Sequence, residues 1–137
     1  MDYLLDTCVI IDFVKGNERT IHLMKSKSPK FISISSITAF ELTYGLEQSS
    51  KVKSRSRVIV KALLSEINLL PFESNAAIQA AKIRNQLRIQ GTPIGPYDVL
   101  IAATAIANDL TLVTSNEKEF KRVEQLKIEN WRQELSE

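Results

Sequence analysis

Short apolar runs alternate with longer stretches of helical periodicity along this chain. Residues 3–5 open it with an apolar strand, and 31–35 alternate apolar and polar positions as a second strand. Residues 67–70 and 110–114 read as a third and a fourth strand, and 126–128 as a weaker fifth. Between them the apolar spacing follows 3.6 residues over 7–14, 18–25, 37–47, 53–66, 76–90 and 97–108. Ser36 is placed to cap the third of these helices, and Gly91 to stop the fifth. Strands that alternate with helices predict an α/β fold with a mainly parallel sheet covered on both faces. Functional side chains in such sheets gather beyond the carboxyl ends of the strands.

Composition narrows the picture without deciding it. A length of 137 residues suits one domain over 1–137, and 44% hydrophobic with 25% charged residues suggests neither disorder nor a disulfide scaffold. The most apolar stretch, residues 99–107, is far short of a membrane span, and no basic segment followed by a long apolar one opens the chain. A cytoplasmic protein is expected. With Cys8 as the single cysteine and His22 as the single histidine, an intrachain disulfide, a thiolate zinc cluster and paired-histidine chemistry are excluded. The net charge is only +2, but Lys51, Lys53, Arg55, Arg57 and Lys61 follow one another with no acid between Glu47 and Glu66. That stretch is either a solvated helix face or a surface for a phosphate backbone.

The acids carry more information. In GTPIGPYDVLIAATA, Asp98 is the one charge among fifteen residues, at the head of a helix apolar almost all round. It could simply be a first-turn acid favoured by the helix dipole. Asp6, in LLDTC, ends the first strand, and Glu41 lies one turn into the helix after the second. Each has an ordinary reading of its own, as an N-cap or an exposed helix glutamate. Past the fourth strand, TSNEKEF supplies Asn116, Glu117 and Glu119. A parallel sheet brings all these places to one rim, where three or four carboxylates would repel each other unless a metal joined them. Oxygen donors without His or Cys suit Mg²⁺ or Mn²⁺, and such ions support hydrolysis of phosphodiesters.

Four blocks in this order, LLDT, ISSITAFELTYG, GTPIGPYDVLIAATA and LTLVTSNEKEFKRVEQLKIENW, resemble PIN-domain proteins of the VapC type, the toxin half of bacterial toxin–antitoxin pairs. The resemblance covers nearly the whole chain. It implies an α/β/α sandwich around a five-stranded parallel sheet and a Mg²⁺- or Mn²⁺-dependent endoribonuclease. Its acids carry over onto Asp6, Glu41, Asp98 and Glu119. It further implies an RNA substrate, a homodimer and a small antitoxin that lays a peptide over the pocket. Cys8 stands where many relatives have Asn, and Asn116 where many have Asp, so a contribution from Asn116 is left open.

Other residues have plainer expectations. Thr7, Thr114 and Ser115 could orient a carboxylate or a water through their hydroxyls, with capping expected of Ser115. Cys8 reads as a small core residue, His22 as a surface one, and Phe40, Tyr44 and Trp131 as core or dimer packing. Arg84 and Arg88, one helical turn apart, could reach phosphate. Two other functions compete with the nuclease: a non-catalytic nucleic-acid or protein-binding module of the same fold, and a metal-dependent phosphatase. The phosphatase usually needs a second Asp where this chain has Cys8.

Overall fold

Alternation along the strands decides which helices cover which face of the sheet. The computed structural model describes residues 2–48 and 51–132. Strands β1 (Tyr3–Leu5), β2 (Ile32–Ser35), β3 (Asn68–Leu70), β4 (Thr111–Val113) and β5 (Ile128–Glu129) form a sheet ordered β3-β2-β1-β4-β5. Every neighbouring pair is parallel. Successive side chains in a strand point to opposite faces. Leu4 and Leu112 accordingly pack with α5 (Ser74–Gln90), α6 (Pro96–Ala107) and Phe120 of α7 (Glu117–Phe120). Leu5, Val113, Ile32 and Ile34 pack on the other face against α1 (Thr7–Val14), α2 (Glu18–Ser26), α3 (Ser36–Gln48) and α4 (Ser54–Glu66). The parallel α/β architecture expected from the pattern is the one found.

Helix α6 is the centre of the first layer. Val99 and the run from Ile101 to Ala105 are all buried, which is why its sequence shows almost no polar face. Fully burying a side chain of the size of Leu4 or Ile101 stabilises by roughly 1.5–3 kcal/mol. Gly91 ends α5 with φ of 71°, a left-handed turn that a side chain would strain, and its N–H returns to the carbonyl of Arg88.

Boundaries shift by a residue or two at several elements, and three of the differences have an identifiable cause. Pro29 sets a short 3₁₀ turn through Phe31, so β2 begins at Ile32. Leu126, expected to open the last strand, instead anchors the segment after α7 in the core, and β5 is displaced to Ile128–Glu129. The cap of α3 is Ser35 and not Ser36: Ser35 Oγ accepts from the Thr38 N–H at 3.0 Å, and Ser36 is already helical.

The sheet's edges are short, three residues in β3 and two in β5. At the β3 edge Asn68 Nδ2 donates to the carbonyls of Pro29 and Ile32, at 3.0 and 2.9 Å. Among the described residues no helix is long and apolar enough to cross a membrane.

Candidate functional site

The strands' carboxyl ends gather the acids. Helix α6 ends immediately before β4 begins, so it runs antiparallel to the strands and its first turn, with Asp98, lies at the rim where β1 gives way to Asp6. Glu41 follows β2 by way of α3, and Glu119 follows β4 by way of α7.

Asp6 is 6% exposed and heavily bonded. Its Oδ1 accepts from the Thr7 N–H at 2.8 Å, so Asp6 does cap α1 as its plainer reading had it. Its Oδ2 accepts from Thr114 Oγ1 at 2.7 Å and from the Cys8 thiol at 3.5 Å. Burial raises its pKa above the usual 3.8, and the bonds from Thr114, Thr7 and Cys8 offset that only in part. Thr114 is itself fully buried and accepts from the Asn116 N–H at 3.0 Å.

Asp98 is pushed from 3.8 up to about 7. Burial is the largest cause, followed by the charge of Asp6, a hydrogen bond with Glu119, and the charges of Glu119 and Glu41. A hydrogen bond between two carboxyl groups requires a proton on one of them. Gly95 leaves room for this carboxyl, since a Cβ there would stand 3.1 Å from Asp98 Oδ2. Glu119 Oε2 also accepts from Asn116 Nδ2 at 3.1 Å, and Phe120, fully buried, pins α7 beside it. Glu117 points away, to Asn130 Nδ2 at 3.1 Å and Lys121 Nζ at 4.0 Å.

Glu41 Oε1 lies 2.7 Å from Thr7 Oγ1, which lies 3.1 Å from Thr38 Oγ1, which lies 3.4 Å from Ser35 Oγ. The structure thus brings all four expected acids into one electrostatic neighbourhood. Ser35 and Thr38 were missed in the sequence. Their signal was the hydroxyl-rich ISSIT where an apolar strand turns into a helix.

Several smaller expectations need correction. Ser115 does not cap a helix: its Oγ and N–H contact the Cys8 sulfur at 3.3 and 3.5 Å, and Asn116 stands at the N-cap of α7. Cys8 is therefore not merely a core filler but a thiol bonded to Asp6. Burial and the Asp6 charge raise its pKa, which keeps it neutral and unsuited to attack. Phe40 and Tyr44 are not core. They are 49% and 56% exposed, their rings stack at 6.1 Å, and Tyr97 meets Phe40 edge-on at 5.6 Å. Trp131 is core, edge-on to Tyr3. Arg84 and Arg88 border a cleft of about 670 Å³ between α5 and α6 that none of the four acids lines.

Thr7 and Glu41 line a groove of about 290 Å³ floored by Ile11, Leu46, Val52 and Val60. It adjoins a depression of about 410 Å³ where Lys15, Lys53 and Arg55 meet, so part of the basic stretch is continuous with the groove at Glu41.

Among the described residues no group of three or more His, Cys, Asp or Glu side chains is drawn tight enough to grip an ion as it stands. The donor set nonetheless fits one. It is all oxygen, and the charges of Asp6, Glu119 and Glu41 raise the proton affinity of Asp98, the response expected of a carboxylate placed among others. Such a cation would offset the neighbouring charges that raise the Asp98 pKa.

Residues 3–126 match the PIN domain model. The chain is 36% identical over 131 residues to the tRNA(fMet)-specific endonuclease VapC of Salmonella typhimurium, covering 96% of this chain and 98% of that protein. It is 35% identical over 136 residues to Ribonuclease VapC2 of Rickettsia felis, with the same coverage. Among solved structures it resembles VapBC2 of Rickettsia felis bound to a DNA fragment from their promoter, at 34% identity and a TM-score of 0.86, covering 96% of this chain and 99% of that one. DNA-bound VapBC of Salmonella typhimurium is similar at 36% identity and a TM-score of 0.87, covering 96% and 98%.

Proposed function

The chain belongs to the PIN-domain family, and on that premise we propose that it is a metal-dependent endoribonuclease, the toxin of a toxin–antitoxin pair. Relatives named as ribonucleases, alike over nearly their whole length, support this. The observation that carries it to this chain is Asp98, held near pKa 7 by burial and by Asp6, Glu119 and Glu41. In this reading Asp6, Glu41, Asp98 and Glu119 hold Mg²⁺, with Mn²⁺ as a substitute, because hard oxygen donors select hard cations. When bound, the cation lowers the pKa of water and offsets charge on the phosphoryl oxygens.

The chain's own groups do the rest. Thr114 and Thr7 keep Asp6 in one rotamer, so its carboxylate would be held ready for a cation. Asn116 orients Glu119 through its amide. Lys15, Lys53 and Arg55, at the far end of the groove, attract the phosphates flanking the cleaved one.

RNA is the substrate we propose, and a small antitoxin the partner that covers the groove. The antitoxin is supported by neighbours solved as VapBC assemblies. We propose a homodimer, and the exposed rings of Phe40, Tyr44 and Tyr97 support it as a patch suited to cover by a second copy. Light scattering should find a dimer that Phe40→Arg converts to monomer, and a monomeric unaltered protein would remove the homodimer from the reading. The function itself is tested with purified protein, structured RNA and a generic phosphomonoester, each with and without Mg²⁺. RNA cleavage only with the ion is expected. Cleavage of the phosphomonoester alone would indicate a phosphatase, and binding of RNA without cleavage a non-catalytic module.

A further inference from the structure

Four oxygens run in a line from the buried end of β2 to Glu41. Ser35 and Thr38 are fully buried, and Thr7 is half-buried at the first position of α1. The separations are 3.4 Å from Ser35 Oγ to Thr38 Oγ1, 3.1 Å from Thr38 Oγ1 to Thr7 Oγ1, and 2.7 Å from Thr7 Oγ1 to Glu41 Oε1.

The Thr7 hydroxyl stands between two acceptors. It faces Glu41 Oε1 at 2.7 Å and Thr38 Oγ1 at 3.1 Å, and with one proton to give, the shorter contact takes the larger share. Thr38 Oγ1 also accepts from Ser35 Oγ, and Ser35 Oγ accepts from the Thr38 N–H at 3.0 Å, so the Thr38 oxygen is held in place from its far side. Flanked in this way, the Thr7 side chain is confined to the rotamer that meets Glu41.

We propose that Thr38, backed by Ser35, is a positioning residue of the cleavage reaction: it holds the Thr7 hydroxyl in the one orientation that fixes Glu41 in the metal site. Thr7 touches two acids, Asp6 through its N–H and Glu41 through its hydroxyl, so its rotamer sets the spacing between them. Thr38 itself touches neither acid, and its place on α3 one turn before Glu41 makes it look like an ordinary core threonine.

The proposal rests on the ribonuclease reading, and the two fail differently. Thr38→Val keeps shape and removes the hydroxyl, and Thr38→Ser keeps the hydroxyl. Mn²⁺ is titrated calorimetrically into each RNA-free protein, and RNA cleavage is measured at saturating Mn²⁺. We expect Thr38→Val to bind Mn²⁺ at least fivefold more weakly and to lower kcat more than it changes KM, while Thr38→Ser retains at least half of the unaltered affinity. Equal affinities and rates in Thr38→Val and the unaltered protein would overturn the relay, as would equal damage in both variants, which would make shape the cause. Should Thr38→Val not fold, Ser35→Ala tests the far end of the line. A two- to threefold loss of Mn²⁺ affinity supports the relay and no loss overturns it. An unaltered protein that neither binds Mn²⁺ nor cuts RNA would overturn the function, and the relay with it.

Discussion

Asp6 and Glu41 are held by neutral hydroxyls, whereas Asp98 and Glu119 are held partly by each other. In the first pair Thr114 and Thr7 donate hydrogen bonds to the carboxylates and favour negative charge there, against the burial that still leaves the Asp6 pKa raised. In the second pair burial and the charges of Asp6, Glu119 and Glu41 raise the Asp98 pKa to about 7. One half of the site is anchored by hydroxyl donors, and in the other the surrounding charge favours a proton on Asp98. The contrast locates the adjustable part of the site in the first turn of α6 and in α7.

Substitution at the two aspartates should break the contrast most plainly. Asp98→Asn keeps the shape and removes the charge, so RNA cleavage should fall on the order of a thousandfold, about 4 kcal/mol of transition-state stabilisation. Its metal-free melting temperature should hold or rise, because a repelling charge is gone. Asp6→Asn should lose cleavage as well and also cost roughly 1–3 kcal/mol of stability, since an amide offers one acceptor oxygen to the three donors now facing Asp6. Cleavage assays paired with thermal melts would unseat this if Asp98→Asn cleaved normally or if both variants melted alike.

Within the adjustable half, Glu119→Gln should weaken Mn²⁺ binding and slow cleavage about tenfold, or about 1.4 kcal/mol, while Glu117→Gln stays near neutral. Single-turnover cleavage of both variants decides it, and the reverse ranking would mean that Glu117 serves the site.

The smallest effect sharpens the comparison by pH. The Asp98 pKa is near 7 in the folded chain against an ordinary 3.8, so between about pH 4 and 7 the folded state binds more protons than the unfolded one. Stability of the metal-free protein should therefore fall as pH rises through that window. Melting curves with chelator should show the decline, and Asp98→Asn should flatten it. An unchanged slope in the variant would assign the proton elsewhere.

The sequence exposed the acids because each interrupts an apolar context, and it exposed the sheet because short apolar strands alternate with longer helices. Hydroxyls were harder. Ser35, Ser36, Thr38 and Ser115 all sit at junctions where capping is the ordinary use of such a residue, and only three-dimensional neighbours separate a cap from a carboxylate support. Ser115 was misread for that reason, and Thr38 was not singled out. Phe40 and Tyr44 were expected in the core or in a dimer contact, but aromatic residues on a helix carry no mark of which side is covered. Cys8 misled because its partners, Thr114 and Ser115, lie more than a hundred residues away.

The short outer strands have a consequence for how this molecule meets others. A sheet can recruit a foreign strand, or a stray copy of itself, through a long row of unpaired backbone groups. Here those rows are three and two residues long, and Asn68 already occupies two carbonyls beside one of them. Backbone pairing is poorly served at either border, which lowers the hazard of edge-to-edge aggregation while the chain is being made. Recognition then falls to helix faces and side chains, surfaces whose sequence can diverge without disturbing the sheet.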